Sequence, residues 1–279
     1  MTVPVSAMTT PLSVIIVTHD SATVLPACLA ALDRQILRPE RVVVVDSGSA
    51  DRGYLEVLRE KNGVTLLETD NIGFSRANNL GMMVVPPQSG TVVFMNPDTY
   101  PDPDAFARAV AILDERPDVA VVGGKLLGYD PVSRQPTGKL DSTGIFRHWY
   151  GRWVDRGQGR EDRGQYDAPS FVPAVCGALL CCRLQALQSL GQKIFDEDFF
   201  LYKEDIELCL RLRKHGWKLW YDPAITAYHC RGWQTERQQV PASLRRMAAA
   251  NEVRLYRKHP SPYILWAMLK YLLVRYLHI

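Results

Sequence analysis

The chain has 279 residues, of which 47% are hydrophobic and 23% are charged, and this is enough apolar material for a full globular core. Its net charge of +3 gives no argument for binding nucleic acid. The charge is unevenly distributed, because residues 231–279 carry nine lysines and arginines against two acids, which leaves −4 on residues 1–230. We therefore expect an acidic body with a basic C-terminal end.

The cysteines and the N-terminal residues both favour a cytoplasmic location. None of the six cysteines belongs to a CxxC pair, which argues against a zinc site or a disulfide framework. Residues 1–10 lack the basic start and long apolar stretch of a signal peptide, and we interpret them as an N-terminal tail. No uncharged apolar run reaches the roughly 20 residues that a membrane-spanning helix needs. Peripheral contact with the inner face of the cytoplasmic membrane remains an option.

The first half of the chain alternates short apolar runs with helix-compatible segments. The runs are rich in Val, Ile, Leu and Phe, as in strands buried on both faces, and they occupy residues 13–17, 41–45, 64–67, 91–95 and 119–122. The helical segments occupy residues 22–35, 50–61, 75–85 and 104–115. This alternation predicts an α/β fold with a mainly parallel sheet between helices.

The second half of the chain is less regular. Residues 128–169 are rich in Gly, Pro, Arg and Asp and predict a long loop that covers a site. Further strands are predicted at residues 175–182, 217–221 and 226–230, with a helix at residues 205–215. Two terminal helices are predicted at residues 241–259 and 263–279.

Polar clusters follow the first four predicted strands, at residues 18–20, 46–49, 70–79 and 96–99. Each cluster alone is equally well a turn or a helix cap. Ligands of open α/β sheets bind beyond the carboxyl ends of the strands, and four clusters at one rim therefore predict a polar ligand site. The chain has neither a GxxxxGK[ST] loop nor a GxGxxG turn after the first strand, which argues against NTPases and dinucleotide dehydrogenases.

Several side chains in these clusters suit a nucleotide. Asp20 and Asp46 can accept hydrogen bonds from a base or a ribose, and Arg76 can meet a phosphate. Asp98 follows a strand, where it is suited to bind a hard cation on a diphosphate.

An ordered set of motifs then identifies a family. The motifs are SVIIVTHD at 13–20, VDSGSAD at 45–51, NIGFSRANNLG at 71–81, NPD at 96–98, GA at 177–178 and FDEDFFLYKED at 195–205. With them the chain resembles the family 2 glycosyltransferases, inverting enzymes with the Rossmann-like, nucleotide-sugar-binding GT-A fold. Within that family it is most similar to bacterial rhamnosyltransferases of polysaccharide assembly.

The resemblance implies a role for each matching residue. Donor binding falls to Thr18, His19, Asp20, Asp46, Asn71, Gly73, Arg76 and Asn96. Gly177 and Glu204 are expected near the acceptor or the donor sugar. Asp98 and His229 are expected to hold a divalent cation, Mg²⁺ or Mn²⁺. Asn96 replaces the first acid of the family's DxD motif, which makes the cation more dependent on phosphate oxygens of the donor.

Asp205 matches the catalytic base of the family. An acid at a helix start equally well caps free N–H groups, and a histidine after a strand, such as His229, is equally well structural. The implied reaction is a single displacement, in which Asp205 takes the proton of an acceptor hydroxyl that attacks the anomeric carbon and inverts it. The preferred donor is dTDP-L-rhamnose, and UDP-hexose and UDP-galactofuranose remain open. The implied acceptor is a growing surface glycan or a polyprenyl-diphosphate-linked oligosaccharide.

The resemblance also suggests how the chain is organised. Residues 11–235 form the expected catalytic domain, with a nucleotide-sugar half at 11–125 and an acceptor half at 126–235. Residues 236–279 form a basic, amphipathic C-terminal region suited to an anionic membrane interface. Packing of this region on the sheet or on another subunit is the alternative.

Two other functions fit parts of the pattern. A sugar-nucleotide-binding subunit without catalysis would lack or misplace Asp205 or Asp98, and both residues are present. A sugar-1-phosphate nucleotidyltransferase should carry a glycine-rich basic loop after the first strand, where this chain has Thr18, His19 and Asp20.

Overall fold

The computed structural model describes residues 10–230 and 241–276. Within these ranges the strands are β1 (Leu12–Thr18), β2 (Arg41–Ser47), β3 (Val64–Thr69), β4 (Thr91–Met95), β5 (Thr99–Pro101), β6 (Val119–Asp130), β7 (Gln135–Ser142), β8 (Ile145–Arg147), β9 (Trp153–Asp155), β10 (Ser170–Phe171), β11 (Leu179–Arg183) and β12 (Lys218–His229). The helices are α1 (Leu25–Asp33), α2 (Glu56–Arg59), α3 (Phe74–Met82), α4 (Ala105–Glu115), α5 (Leu184–Gln188), α6 (Glu204–Lys214), α7 (Ala242–Lys258) and α8 (Ile264–Tyr276).

One side of the main sheet is parallel. β1 pairs with β2 and β4, and β2 pairs with β3 at the edge. Every residue of β1 and β4 is buried, as expected of parallel strands that are covered on both faces, whereas β3 is half-buried. Because Thr18 at the end of β1 pairs with Asp46 near the end of β2, the polar residues that follow these strands share one rim.

The other side of the sheet is mixed. The main path runs β10-β12-β6-β11-β4-β1-β2-β3, and β11 is antiparallel to both β4 and β6. The run at 119–122, predicted among the parallel strands, is the start of β6, which is parallel to β12 and antiparallel to β11. The predicted class, a mixed α/β sheet flanked by helices, is confirmed, although among the described strands the parallel pairs do not outnumber the antiparallel pairs.

The predicted helix at 50–61 is much shorter than expected. It is reduced to a 3₁₀ turn (Gly53–Leu55) and the single turn of α2. The start of the segment is bound by the preceding strand ends, because Asp20 accepts the N–H of Ala50 and Asp46 accepts the Nε–H of Arg52. The segment therefore belongs to the rim.

The two strands predicted at 217–221 and 226–230 form one strand, β12. Its pairing with β6 shifts register between Asp222 and Thr226, around Pro223. Proline has no N–H to donate to the neighbouring strand, and it interrupts the strand pattern of the sequence at this point. For that reason two strands were predicted where the structure has one.

Residues 128–155 contain strands, which corrects the first part of the predicted long loop, while residues 156–169 contain no named strand or helix. β6 extends to Asp130, β7 returns along it, and β8 and β9 form a separate hairpin. The Lys125 ammonium binds the carboxylates of Asp162, at 2.9 Å, and Asp167. Much of β7 is exposed and polar, and its sequence therefore lacks the apolar pattern that identifies a strand.

The C-terminal helices pack on the β8–β9 hairpin and on each other. The fully buried Glu252 carboxylate of α7 pairs with Lys270 of α8. The Tyr256 hydroxyl of α7 donates a hydrogen bond to the carbonyl of Gly151, in the turn of the β8–β9 hairpin. One face of the helix pair therefore packs within the chain, at the turn of the β8–β9 hairpin. The alternative stated from the sequence was packing on the sheet or on another subunit.

Residues 1–9, 231–240 and 277–279 lie outside the described ranges. The predicted boundary between catalytic domain and C-terminal region, at 235–236, falls among them. Within residues 10–230 and 241–276, no helix combines the length and apolarity needed to cross a bilayer.

Candidate active site

A cleft of about 350 Å³ lies where β4, β11, β12, the β8–β9 hairpin and the start of α6 meet. Six of the residues singled out from the sequence line it: Asn96, Asp98, Gly177, Glu204, Asp205 and His229. The remaining predicted residues lie outside the cleft lining, at or after the ends of β1, β2 and β3. Thr18 and Asp46 belong to the last residues of β1 and β2, and Arg76 lies in the first turn of α3. The loops after β1 and β3 carry the others: His19, Asp20, Asn71 and Gly73.

The loops after β1 and β2 bind each other and form a shelf at residues 18–20 and 47–50. The Thr18 hydroxyl lies 3.0 Å from the Tyr54 hydroxyl, and the His19 Nδ1 lies 2.9 Å from the carbonyl of Ser47. Asp20 has a left-handed backbone, with φ of 49°, and its carboxylate accepts the Ala50 N–H at 2.7 Å. The side chains of His19 and Asp20 are about half exposed, and they are therefore open to a ligand on this shelf.

Asp46 lies beneath the shelf and has no solvent-exposed surface. Its carboxylate accepts the Ser49 N–H at 3.3 Å, the Ser49 hydroxyl and the Arg52 Nε–H at 2.7 Å. Arg52 also donates to the carbonyl of Thr69 at 2.6 Å, and it thereby joins the ends of β2 and β3. The sequence reasoning missed Arg52 and Tyr54, and no spacing rule marked them. The role of Asp46 toward a nucleoside stays a prediction.

The motif at 71–79 binds the segment before α6. Gly73 has φ of 80° and packs so closely on Phe200 that a side chain at this position would collide with the ring. Asn79 donates to the carbonyl of Phe195 and accepts its N–H, each at 2.9 Å. Arg76 is exposed, and its Nε lies 3.8 Å from Glu197. Asn71 packs its backbone against Gly48, which joins this motif to the shelf.

Asp98 and His229 approach each other at the cleft. Oδ1 of Asp98 lies 3.3 Å from Nε2 of His229, and the Asn96 amide nitrogen lies 3.4 Å from the same atom. On the other side of the ring, Nδ1 of His229 is 2.8 Å from the buried carboxylate of Asp141. Burial disfavours the charged imidazole, but Asp98 and Asp141 together raise the pKa of His229 to about 9.

This arrangement fits a cation that is bound jointly with a diphosphate. A carboxylate that accepts the Nδ1–H of a histidine and leaves Nε2 for the metal is the usual support of a metal-binding imidazole. Asp141 supplies that support and was not identified from the sequence. Within the described ranges, no cluster of three or more His, Cys, Asp or Glu side chains is arranged to hold a metal ion. Asp98 and His229 alone would leave most ligand positions to donor oxygens.

Asp205 lies in the first turn of α6 and is held by two backbone groups. The Gly177 N–H donates to Oδ2 at 3.0 Å, and the Ile206 N–H donates to Oδ1 at 2.8 Å. Gly177 lies so close to Asp205 that a larger residue there would press on the carboxylate. Burial raises the pKa of Asp205, the Gly177 N–H opposes the shift, and the charge of Asp155 on β9 adds to it.

Glu204 also lies at the cleft, 6% exposed, and its Oε2 has no hydrogen-bond partner among the described residues. Burial raises the pKa of Glu204, and the neighbouring Asp205 carboxylate adds to the shift. Glu204, whose raised pKa favours the protonated form, therefore lies beside the Asp205 carboxylate, which is held by two N–H groups. Such a site can accept a proton at Asp205 and bind a ligand hydroxyl at Glu204.

Comparison with known proteins identifies a family and two relatives that match most of this chain. The model of the family described as glycosyltransferase like family 2 matches residues 10–250. The N-acetylglucosaminyl-diphospho-decaprenol L-rhamnosyltransferases of two Mycobacterium tuberculosis strains, CDC 1551 / Oshkosh and H37Rv, are each 28% identical over 252 residues. These alignments cover 85% of this chain and 80% of each relative.

Solved structures share the fold at low sequence identity. GalNAc-T7 with UDP, GalNAc and Mn²⁺ aligns with a TM-score of 0.69 at 17% identity, over 90% of this chain and 48% of that chain. The mannosyltransferase PcManGT from Pyrobaculum calidifontis, in complex with GDP-Man and Mn²⁺, gives 0.60 at 18% identity, over 95% and 70%. S. aureus TarS 1-349 with UDP gives 0.54 at 20% identity, over 87% and 65%. The GT-A fold is confirmed.

Proposed function

The chain belongs to glycosyltransferase family 2, and we propose that it is an inverting enzyme that transfers a sugar from a nucleoside diphosphate to a hydroxyl of a bacterial surface glycan or lipid-linked oligosaccharide. One observation carries this proposal: Asp205, suited to accept a proton, lines the same cleft as Asp98 and His229, suited to the leaving diphosphate. A displacement needs both groups within reach of one anomeric carbon.

The proposed donor is dTDP-L-rhamnose. The support is the similarity to L-rhamnosyltransferases at 28% identity. The nucleoside would lie on the shelf, against the exposed side chains of His19 and Asp20, with Arg76 near the phosphates or the sugar. UDP-hexose and UDP-galactofuranose are the alternative donors.

Asp205 would act as the general base. Its carboxylate removes the proton from the acceptor hydroxyl while the hydroxyl oxygen bonds to the anomeric carbon and the bond to the diphosphate oxygen breaks. The N–H groups of Gly177 and Ile206 fix the carboxylate, and its raised pKa makes it a stronger base than an exposed aspartate. Glu204 would bind a hydroxyl of the acceptor or of the donor sugar.

Asp98 and His229 would hold the donor diphosphate through a divalent cation, Mg²⁺ or Mn²⁺. When bound, that cation supplies Lewis-acid stabilisation of the charge on the departing diphosphate. Asp141 fixes the tautomer of the His229 ring, because its carboxylate accepts only a protonated Nδ1. Asn96 contributes an amide instead of a second carboxylate, which leaves more of the coordination to the donor.

The proposal predicts which donors bind. The intact protein is incubated with Mg²⁺ or Mn²⁺ and with dTDP-L-rhamnose, UDP-glucose or UDP-galactofuranose, and thermal unfolding is recorded. A ligand that binds the native state raises the melting temperature by mass action, and we expect the largest rise with dTDP-L-rhamnose. A larger rise with a UDP-sugar would replace the donor, and no rise with any nucleotide would contradict the proposal.

We also propose peripheral contact between the C-terminal helices and an anionic membrane. One face of α8 exposes apolar side chains at three- and four-residue spacing: Leu265, Met268, Leu269, Leu272 and Tyr276. Basic side chains surround this face on α7 and α8: Arg246, Arg254, Arg257 and Arg275. An apolar face bordered by cations suits the interface of a bilayer with anionic lipids. Such contact would bring the cleft to a lipid-linked acceptor.

Vesicle sedimentation tests this contact. The intact protein is mixed with vesicles of phosphatidylcholine alone or with phosphatidylglycerol, and we expect binding only to the anionic vesicles. Leu269→Glu should abolish the binding, while Val132→Glu, at an exposed apolar residue in the turn between β6 and β7, should not. Equal binding by the two variants would contradict the membrane role of α8.

A non-catalytic sugar-nucleotide subunit is the second candidate. It is disfavoured because Asp98 and Asp205 both line the cleft, instead of being absent or turned away. The nucleotidyltransferase alternative is disfavoured by the family match over residues 10–250.

A further inference from the structure

The segment at residues 195–203, here called the entry segment, leads directly into the base. Its N-terminal part is bound by Asn79 through Phe195, and the Phe200 carbonyl accepts the Phe74 N–H at 2.7 Å. The motif at 71–79 therefore fixes one side of the entry segment. Its last two residues precede Glu204 and Asp205 and decide how α6 begins.

Those last two residues have an unfavourable backbone. Tyr202 has φ of 74° and Lys203 has φ of 75°, so that two consecutive non-glycine residues occupy the left-handed region. Such conformations persist only where surrounding contacts hold them, and they concentrate at functional sites. Lys203 is also the N-cap of α6 and has no side-chain cap hydrogen bond. A contact from elsewhere must therefore hold this turn.

Asn251 of α7 supplies that contact. It is 1% exposed, and its amide nitrogen donates to the carbonyls of Leu201, at 2.8 Å, and Tyr202, at 2.9 Å. The amide oxygen accepts a hydrogen bond from Arg254. Both carbonyls can only accept and the guanidinium can only donate, and the amide therefore has one orientation that satisfies all three groups.

Two further contacts from α7 reach the same segment. The Lys258 ammonium lies 2.6 Å from Asp196 and 2.6 Å from Asp198. The Arg254 guanidinium lies over the Phe199 ring, 5.7 Å from its centroid. α7 therefore follows the entry segment along its length, and Asn251 is the contact nearest to the base.

We propose that Asn251 is a positioning residue for glycosyl transfer: it holds the strained turn at 202–203 so that Asp205 faces the acceptor hydroxyl. This inference rests on the proposed function of Asp205 as the base. It makes the C-terminal helices part of the catalytic machinery, in addition to any attachment role. A base displaced by about 1 Å loses on the order of a hundredfold in rate, which sets the size of the expected effect.

The test compares three variants of the intact protein. Asn251→Ala removes the two donated hydrogen bonds, and Asn251→Asp places an oxygen against two carbonyl oxygens. We expect kcat to fall about tenfold to a hundredfold for alanine and at least as far for aspartate, with donor Kd within twofold of wild type. Ser243→Ala, at an exposed residue of α7, is the matched control and should keep the wild-type kcat.

The pH profile separates positioning from general loss of structure. In a released turn the Asp205 carboxyl becomes more solvated, its pKa falls, and the acidic limb of kcat moves to lower pH. A kcat within twofold of wild type in Asn251→Ala, or an unshifted limb, overturns the proposal.

Amide hydrogen exchange tests the same contact without substrate. Asn251→Ala should speed exchange in a peptide covering residues 201–208 and leave β1 and β2 at the wild-type rate. Unchanged exchange at 201–208 would overturn the proposal. If the wild-type protein transfers no sugar but the variant still exchanges faster, the proposed function of Asp205 fails while the contact stands.

Discussion

Two regions of the molecule are stabilised by different kinds of contact. One is the rim formed by residues 18–20 and 46–52. The other, here called the base side, holds Asp205 and His229 at the cleft. On the rim, Asp46 binds Ser49 and Arg52, which lie three and six residues away in sequence. On the base side, His229 depends on Asp141, 88 residues away, and Asp205 depends on Gly177, 28 residues away. The rim therefore joins the ends of neighbouring strands, both within loops and between residues as far apart as Asp20 and Ala50, while on the base side His229 is held by an element 88 residues away.

The two regions also differ in how they hold charge. Buried Asp46 is neutralised by the Arg52 guanidinium beside it. Burial raises the pKa values of Glu204 and Asp205, and the ammonium of Lys203 offsets only part of the shift. Groups that exchange protons need a pKa moved toward neutral pH, and burial moves the pKa values of Glu204 and Asp205 in that direction. We therefore expect changes on the base side to alter chemistry and changes on the rim to alter binding and stability.

A large effect on cation binding is predicted for Asp141. Asp141→Asn removes the carboxylate that orients His229, and the cation concentration needed for half-maximal activity should rise about 10- to 100-fold. The measurement is a titration of transfer activity with Mn²⁺ at saturating donor. Asp130→Asn, at a half-buried aspartate at the end of β6 bonded to Ser133, is the control and should titrate as wild type does. An unchanged midpoint in Asp141→Asn would contradict the proposal that His229 holds the cation.

The pH dependence of kcat distinguishes the base side from the rim. As the proposed base, Asp205 would act only as a carboxylate, and activity should fall as the pH drops through its pKa, about tenfold for each further pH unit. Burial raises this pKa above the ordinary value of 3.8, which moves the acidic limb to higher pH than an exposed aspartate would give. The kcat profile at saturating donor measures it. An acidic limb at or below pH 3.8 would contradict the raised pKa of Asp205.

The smallest effect on rate is predicted for the rim. Arg52→Ala leaves the Asp46 carboxylate without its cation and should lower the free energy of unfolding by about 2 kcal/mol. Donor KM should rise several-fold while kcat at saturating donor stays within about twofold, since the reacting groups are untouched. Arg59→Ala, which removes an exposed pair with Glu56 and Glu68, should change the unfolding free energy far less than Arg52→Ala does. A large fall in kcat for Arg52→Ala would erase the distinction between the two regions.

Strand position located the rim in the sequence, whereas two supporting residues near the base have no local signal there. β1, β2 and β4 have continuous apolar runs, which identify them as strands. Because the carboxyl ends of parallel strands meet at one edge of the sheet, the polar clusters that follow them could be predicted to lie together. Asp141 and Asn251 sit in a polar strand and in a basic helix, where spacing gives no sign of a partner 88 or 49 residues away. Such contacts exist only after the sheet and the C-terminal helices have packed.

Asp205 and His229 were proposed from family resemblance, whereas Asp98 was also marked by its place after a strand. Asp205 at a helix start has the same local signature as a capping acid, and only the surrounding motif marked it. The structure adds the Gly177 N–H that holds it and the neighbouring charge of Asp155. The opening imbalance of charge is also clearer, because Lys258 and Lys270 of the basic end pair with acids of the entry segment and of α7.

The most direct test of this account is the rate of sugar transfer by Asp205→Asn. Asparagine has nearly the same shape but cannot accept the proton, and kcat should fall about 10²–10⁴-fold with donor affinity preserved. Glu115→Gln, at an exposed acid ending α4, is the control and should keep full activity. Preserved donor binding with transfer nearly abolished would support Asp205 as the base. An Asp205→Asn variant that transfers sugar at the wild-type rate would contradict the account.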